Sequence, residues 1–339
     1  MRHVWMSLAW RSLINIEALN MAESIGNYVK HRRAPVAYFD EESGNYVIKY
    51  VPVISGESLA HAYQTWLAEE AIKRGLKVCK YCEKGELTKH GARIILKEEG
   101  IGEDVKEIDK AKEVEVNIIE NCVVEDIGGF LMPTTFPVKR TSRVYVGYMI
   151  PAADSIKVAV MDPQFHVRHA PSLIGRSEEF PEKGQAIYYV ETGTAVYTAS
   201  FVLDLSGIGY TSMFEIRNVI SEDERLKRTE AALFSVYYLL VGMFGAKQTR
   251  FMPNYKLLSA VASVSFGTPF NVDPGHDKNY VEKTVARASA FREITGSEVS
   301  IFAYAAEELN IPSNGVNRAE TPEDLVKSIV STVLEFIKK

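Results

Sequence analysis

The 339-residue chain contains only three cysteines, too few and too odd in number for a disulfide framework, and this points to a reducing, cytoplasmic setting. It lacks a membrane-length apolar run. The uncharged stretch Ala231–Ala246 stops short of the ~20 residues that a spanning helix needs, and reads as a buried helix. The N-terminal run Val4–Trp10 is broken by Ser7, is followed at once by Arg11, and has no small-residue cleavage site, so no targeting segment is expected. An overall basic excess is missing too: 39 Lys and Arg stand against 44 Asp and Glu, a balance of −5. Recognised catalytic signatures are absent, with no G-x-S-x-G, no H-E-x-x-H and no acid-rich two-metal motif. The hydrophobic fraction of 46% and charged fraction of 24% are those of an ordinary globular chain, which excludes disordered and collagen-like classes.

The average charge hides an asymmetry. From Glu98 to Asp126 eleven acids meet three bases, a local balance of −8, and the remaining residues carry 36 bases against 33 acids. The chain therefore reads as an acidic insertion on a mildly basic body.

Hydrophobic periodicity gives an element order. Residues 4–16 alternate with a period of two and predict a long first strand, and Ser43, Gly44 and Asn45 mark a hairpin. Ser55 and Gly56 open a helix to about Arg74, which Gly75 stops. Residues 77–141 break the pattern, and strand-like runs return at 144–150, 156–160 and 186–205. Ser221 with Glu224 forms a capping box for a helix to about Phe244, 257–266 is strand-like, and Thr321, Pro322 and Asp324 start a final amphipathic helix. The order strand, helix, strands, helix, strand suits an α+β, ferredoxin-like or modified RRM sheet. One core over 1–339 would carry two insertions, at about 77–142 and about 152–185.

Several segments carry candidate chemistry. Lys30, His31, Arg32 and Arg33 precede Ala34 and Pro35, and so many cations in a row cannot all point inward. They form either a phosphate-contacting loop or a solvated turn. Ser55 and Gly56 offer free amides at a positive helix end, fit for phosphate or for a plain cap. Gly242 and Gly245, then Lys247, Thr249, Arg250 and Phe251, combine flexible backbone, two cations and an aromatic, the ingredients of a single-strand contact. The spacing rules out a Walker loop. Residues 126–143, with paired glycines, Phe130, Leu131, Met132, Phe136, Lys139, Arg140 and Arg143, suggest a protruding apolar-tipped arm on a basic root, or an arm packed on a neighbouring subunit.

Cys79 and Cys82 form C-x-x-C, with Cys122 and His90 the nearest further ligands; a structural zinc and buried free thiols both fit. His166 and Arg168 share strand parity and would face RNA while Phe165 and Val167 turn inward. Together with Asp162, His166 and His169 also permit a metal or acid–base reading. His276–Asp277 lies in a loop without a partnering helical histidine and is set aside.

The segments INIEALNMAESIGNYVKHRRAPV, VPVISGESLAHAYQ, RTSRVYVGYMIPA, QFHVRH and GAKQTRFMP resemble the archaeal CRISPR-associated DevR-type autoregulator family, the Cas-seven backbone subunit of type I-A Cascade. The resemblance spans nearly the whole chain. It implies a crescent-shaped, modified RRM fold with lobes and a thumb hairpin at about 127–143. It also implies polymerisation along a CRISPR guide RNA. By the same resemblance Asn20 and Lys30–Arg33 lie in an RNA-facing loop, Ser55 and Gly56 sit beside the guide backbone, and His166 and Arg168 contact RNA. Gly245, Lys247, Gln248, Arg250 and Phe251 belong to the glycine-rich binding loop. Expected partners are the guide, further copies head to tail, other Cascade subunits, an effector nuclease-helicase, and target DNA through the guide. No cofactor is required. Related type III subunits cut RNA with an aspartate in the first loop, and residues 27–36 hold no acid, which implies a non-catalytic scaffold. Two alternatives stand beside it: an RNA endonuclease using His31 or His166, and a transcriptional autoregulator, for which no helix-turn-helix signature is evident.

Overall fold

The computed structural model describes residues 3–98, 100, 104–169 and 185–338, so residues 170–184 of the expected second insertion lie outside the description. The first strand, β1 (Val4–Glu17), is followed by β2 (Met21–Ile25), β3 (Tyr28–His31) and the hairpin β4 (Arg33–Asp40)–β5 (Asn45–Pro52). Gly44 turns that hairpin at φ +66°, a conformation other residues adopt only with strain. Ser55 caps α1 (Gly56–Lys73), its hydroxyl accepting the Ser58 amide at 3.3 Å.

The segment in which strand periodicity fails is helical: α2 (Lys80–Glu83), α3 (Arg93–Glu98), α4 (Ile108–Asn121) and α5 (Val123–Gly128). The short pair β6 (Phe130–Met132) and β7 (Val138–Arg140) follows, then β8 (Val144–Val146) and β9 (Ile150–Pro151). Residues 153–158 form a 3-10 turn where a strand over 156–160 was expected, since the Lys49 ammonium gathers the carbonyls of Ile156, Lys157 and Ala159 that a strand would offer sideways. Next come β10 (Val160–His169), β11 (Gln185–Asp204), α6 (Glu222–Leu240) with its Ser221 cap, and β12 (Asn254–Phe266). The chain closes with α7 (Tyr280–Thr295), β13 (Glu298–Ala305), β14 (Asn317–Ala319) and α8 (Pro322–Lys338).

The main sheet runs β14-β13-β12-β1-β11-β3-β2, with β8, β9 and β10 also bonded to β11. The alternation along β1 gives it two buried faces. Met6, Leu8, Trp10 and Ile14 join the large core beneath α1, α6 and α8, while Ala9 faces a second cluster with Val261, Tyr280 and Ile301. Cutting Leu8 to Ala would cost about 2–5 kcal/mol at such a site. Among the described residues no helix is long and apolar enough to cross a membrane.

Strand β11 positions the site. Its inner half pairs antiparallel with β1, from Asp204 opposite Trp5 to Gly193 opposite Glu17. Its outer half runs past the end of β1 and pairs with β10, while β3 joins in parallel at Tyr189 and Val190. The loop 18–20 therefore leaves β1 where the sheet changes partners.

The expected protruding arm at 127–143 is instead a packed element. Phe130 and Met132 are buried with Val105, Ala111, Val114 and Ile118 of the acidic segment, so neither forms an exposed apolar tip. Arg140 is buried as well. Its Nε donates to the Asp126 carbonyl at 2.7 Å and its Nη2 to the Gly207 carbonyl at 2.8 Å, while the Asp126 carboxylate pairs with it. Arg143 Nη1 lies 2.8 Å from Asp204 Oδ2. These arginines hold the insertion to the sheet, and of the expected basic root only Lys139 is exposed.

Candidate nucleic-acid interface

Two cation-bearing loops meet at Leu19–Asn20. The Asn20 carbonyl accepts the Arg32 amide at 2.8 Å, and Asn20 Oδ1 accepts the Ser55 amide at 2.9 Å. On the other side the Leu19 carbonyl accepts the Ala246 amide at 2.7 Å. Gly245, at φ +87°, is required there: a Cβ on it would come within 2.7 Å of Leu19 Cβ and 2.9 Å of the Leu19 carbonyl oxygen. Gln248 Nε2 donates to the Gly242 carbonyl at 3.1 Å, which closes the glycine loop on itself. Lys247 and Arg250 are left exposed, and neither has an acidic partner among the described residues.

Phe251 returns from this loop to the β10–β11 ribbon. Its ring meets His166 edge-on at 5.2 Å, and His166 lies nearly parallel to Tyr188 at 5.2 Å. Residues 22 to 85 positions apart in sequence thus build one aromatic wall beside Lys247 and Arg250. The expected strand parity is reversed: His166 is half-buried in this stack, whereas Phe165 and Val167 are exposed. Arg168 lies on the same strand, opposite Ala186, and its side chain is outside the described residues. Tyr188 and Tyr189 were missed from the sequence; adjacent aromatics on a strand point to opposite faces, so the YY pair itself was the available signal.

Several expected contacts turn inward. His31 is buried, with Nε2 2.7 Å from Glu17 Oε1 and Nδ1 2.7 Å from the Arg32 carbonyl. Burial opposes charge on this ring, yet the Glu17 hydrogen bond and charge, aided by the Arg32 carbonyl, raise its pKa above the ordinary histidine value. Tyr197 donates to the same Glu17 oxygen at 2.6 Å. Lys30 pairs with Glu23 at 3.1 Å. Gly56 is shut in by the β8–β9 turn, where a Cβ would sit 2.7 Å from the Val146 carbonyl oxygen, so Ser55 and Gly56 cap a buried helix end rather than an open anion seat. Arg33 is exposed and Arg32 half-buried, with its Nε enclosed, and both are joined to the glycine loop through Leu19–Asn20.

The thiols form a second constellation. Cys79, Cys82 and Cys122 are free, and their sulfurs all lie within 4.8 Å of one another. His90 stands beside this cluster rather than in it, with Nδ1 engaging Glu125. Hydrogen bonds from the Cys122 and Cys82 thiols hold Cys79 well below the usual thiol range, whereas Cys82 and Cys122 are pushed up.

The fold and the surface define an α+β chain with a mixed sheet and a cation-and-aromatic face. Two solved structures titled "CRISPR RNA-guided surveillance complex", the second continuing "pre-nicking", share that fold. Each aligns at a TM-score of 0.53 over 97% of this chain and 99% of theirs, at 10% and 11% identity. The family described as "CRISPR-associated negative auto-regulator DevR/Csa2" matches residues 8–285. The chain belongs to this family. Two relatives from Saccharolobus solfataricus agree. "CRISPR-associated aCascade subunit Cas7/Csa2 2" is 39% identical over 93% of this chain and 96% of its own length. "CRISPR-associated protein Cas7/Csa2 1" is 36% identical over 90% and 93%.

Proposed function

We propose that this chain is a cytoplasmic, non-catalytic backbone subunit of a Cascade-type surveillance complex, which binds CRISPR guide RNA and presents its bases to target DNA for antiviral defence. The observation that carries the RNA half is the junction at Leu19–Asn20, which ties the segment bearing Arg32 and Arg33 to the loop bearing Lys247 and Arg250. Phosphates along a single strand would be met by these cations, and the Phe251–His166–Tyr188 wall offers ring faces and edges to bases or riboses. None of these groups carries a base-specific donor pattern held in place, so affinity is set by the backbone and sequence is left to Watson–Crick pairing.

The strand order supports a ferredoxin-like, RRM-type core. β12, β1, β11 and then β8 with β9 lie side by side, all antiparallel, and α1 packs on α6 over one face. Polymerisation rests on family membership. Copies stacked head to tail along one RNA require two different surfaces on each chain and so an open helical array, flanked by other Cascade subunits and an effector nuclease-helicase. Against an endonuclease, His31 is enclosed with Glu17 and cannot touch a phosphodiester.

The deciding experiment is electron microscopy of the protein purified with its nucleic acid. Guide-length RNA threaded through regularly repeating copies is the expected result. Chains that hold no RNA, and that stay monomeric when offered single-stranded RNA, overturn the proposal.

A further inference from the structure

We infer that Cys79, Cys82 and Cys122 bind a structural zinc ion, with the Glu125 carboxylate as fourth ligand. Two segments about forty positions apart in the chain converge on one point. Cys79 and Cys82 flank the first turn of α2, and Cys122 is the joint between α4 and α5. The three sulfurs lie within 4.8 Å of one another and none is spent in a disulfide. Tetrahedral zinc with Zn–S bonds of about 2.3 Å sets sulfurs about 3.8 Å apart, so the cluster needs only a small contraction to close around the ion. Glu125 Oε1 lies 4.0 Å from Cys79 Sγ, outside the sulfur cluster itself, so it would shift inward to complete the shell, and Glu125 Oε2 is held by His90 Nδ1. That hydrogen bond orients the carboxylate as an outer partner orients a ligand.

The donor set selects the metal. Three thiolates and one carboxylate form a soft, closed, four-coordinate set that suits zinc and excludes magnesium or calcium, which take oxygen shells. Three thiolates and a carboxylate around Zn²⁺ leave a local charge of −2. Lys89, partly buried and in the field of Glu125 and Cys82, offsets part of it. Cys79 and Cys122 also line an open cavity of about 690 Å³ with His90 and Lys77, which gives an ion a way in. The Val123 amide donates to the Lys77 carbonyl at 3.0 Å, so the ion would reinforce a seam where the acidic insertion leaves and rejoins α1. The inference is independent of RNA binding.

The test is elemental analysis of the full-length reduced protein, purified without a metal-binding tag, followed by chelator treatment and titration with cobalt(II). One zinc per chain is expected, with a sulfur-to-cobalt charge-transfer band and tetrahedral d–d bands that saturate at one equivalent. The Cys122→Ser chain is expected to lose the zinc and to be cut by protease within residues 80–121 earlier than the parent. Because that variant could misfold outright, the parent's cobalt spectrum decides. Sub-stoichiometric zinc together with no charge-transfer band overturns the inference, as does a disulfide among these cysteines in protein purified under reducing conditions.

Discussion

Replacing Lys247 and Arg250 together by Ala tests the interface at its most exposed point. Both side chains are exposed and free of acidic partners among the described residues, so their loss should change folding stability by no more than about 0.5 kcal/mol. Binding is a different matter. Each single-strand phosphate contact contributes about 0.7 to the slope of log affinity against log salt, so two lost contacts lower the slope by about 1.4. Over a fourfold rise in salt, from about 50 to about 200 mM, the ratio of parent to variant affinity should then shrink by about sevenfold. The assay is fluorescence anisotropy with two labelled RNAs of equal length and unrelated sequence, each titrated at several salt concentrations. Equal loss on both RNAs is expected, because a charge–phosphate contact does not read bases. Parallel salt slopes for parent and variant would refute the assignment of this loop, and so would a loss confined to one RNA.

Phe251→Ala should weaken RNA binding by about 1–3 kcal/mol while leaving the salt slope unchanged, since a ring contact releases no counterion; anisotropy at fixed and varied salt separates the two effects. Asp126→Ala should destabilise the fold by about 3–5 kcal/mol in urea melts, because it strands the buried Arg140 and Arg228, whose guanidinium Nη1 lies 2.8 Å from Asp126 Oδ2. A cost below about 1 kcal/mol would contradict that network. His31 gives a pH dependence. Its folded pKa is raised, so the Glu17–His31⁺ pairing contributes fully below the ordinary histidine value near 6.5 and is lost as pH rises through the higher folded value. Thermal melts across that range should show a fall in stability that His31→Gln abolishes; Glu17 and Glu191 face the ring, and His276, lowered by burial, acts in the opposite sense in both proteins.

Where a segment carries one dominant period or a complete cap, its structure was legible in the sequence. β1 follows its alternation from Val4 to Glu17, Ser55 caps α1, and Ser221 accepts the Glu224 amide at 3.2 Å. α4 was not legible, because its apolar stripe, Ala111, Val114 and Ile118, is diluted by acids that composition presents as a solvated run. The arm at 126–143 was misread for a related reason. Glycines, prolines and large apolar residues describe a protruding loop and a buried hairpin equally well, and the partner that buries Phe130 and Met132 is α4 itself. In the proposed binding surface, residue types marked Lys247, Arg250 and Phe251 as candidates. The neighbours that give them a wall come from 60 to 85 positions upstream, and the Leu19 hinge bears no chemical mark of its role.

Charge shows why a count of residues could not have located the proposed interface. The acidic segment contains Glu115, Glu125 and Asp126, all buried. Glu115 accepts the Ser212 and Met213 amides at 2.7 and 3.1 Å, and Asp126 pairs with Arg140 and Arg228. Part of the apparent acid excess is therefore the internal counter-charge of arginines that composition assigns to the basic body. Arg11 is consumed in the same way by Asp154 and Glu307. An arginine paired in this manner offers a phosphate nothing, because transferring it would leave its carboxylate buried and unmatched. The cations available to a polyanion are the exposed ones with no acidic partner among the described residues, and at the Leu19–Asn20 junction these are Arg33, Lys247 and Arg250. A net charge of −5 is thus compatible with the proposed RNA contact through local arrangement, and the salt slope, which counts contacts rather than net charge, is the measurement that tests it.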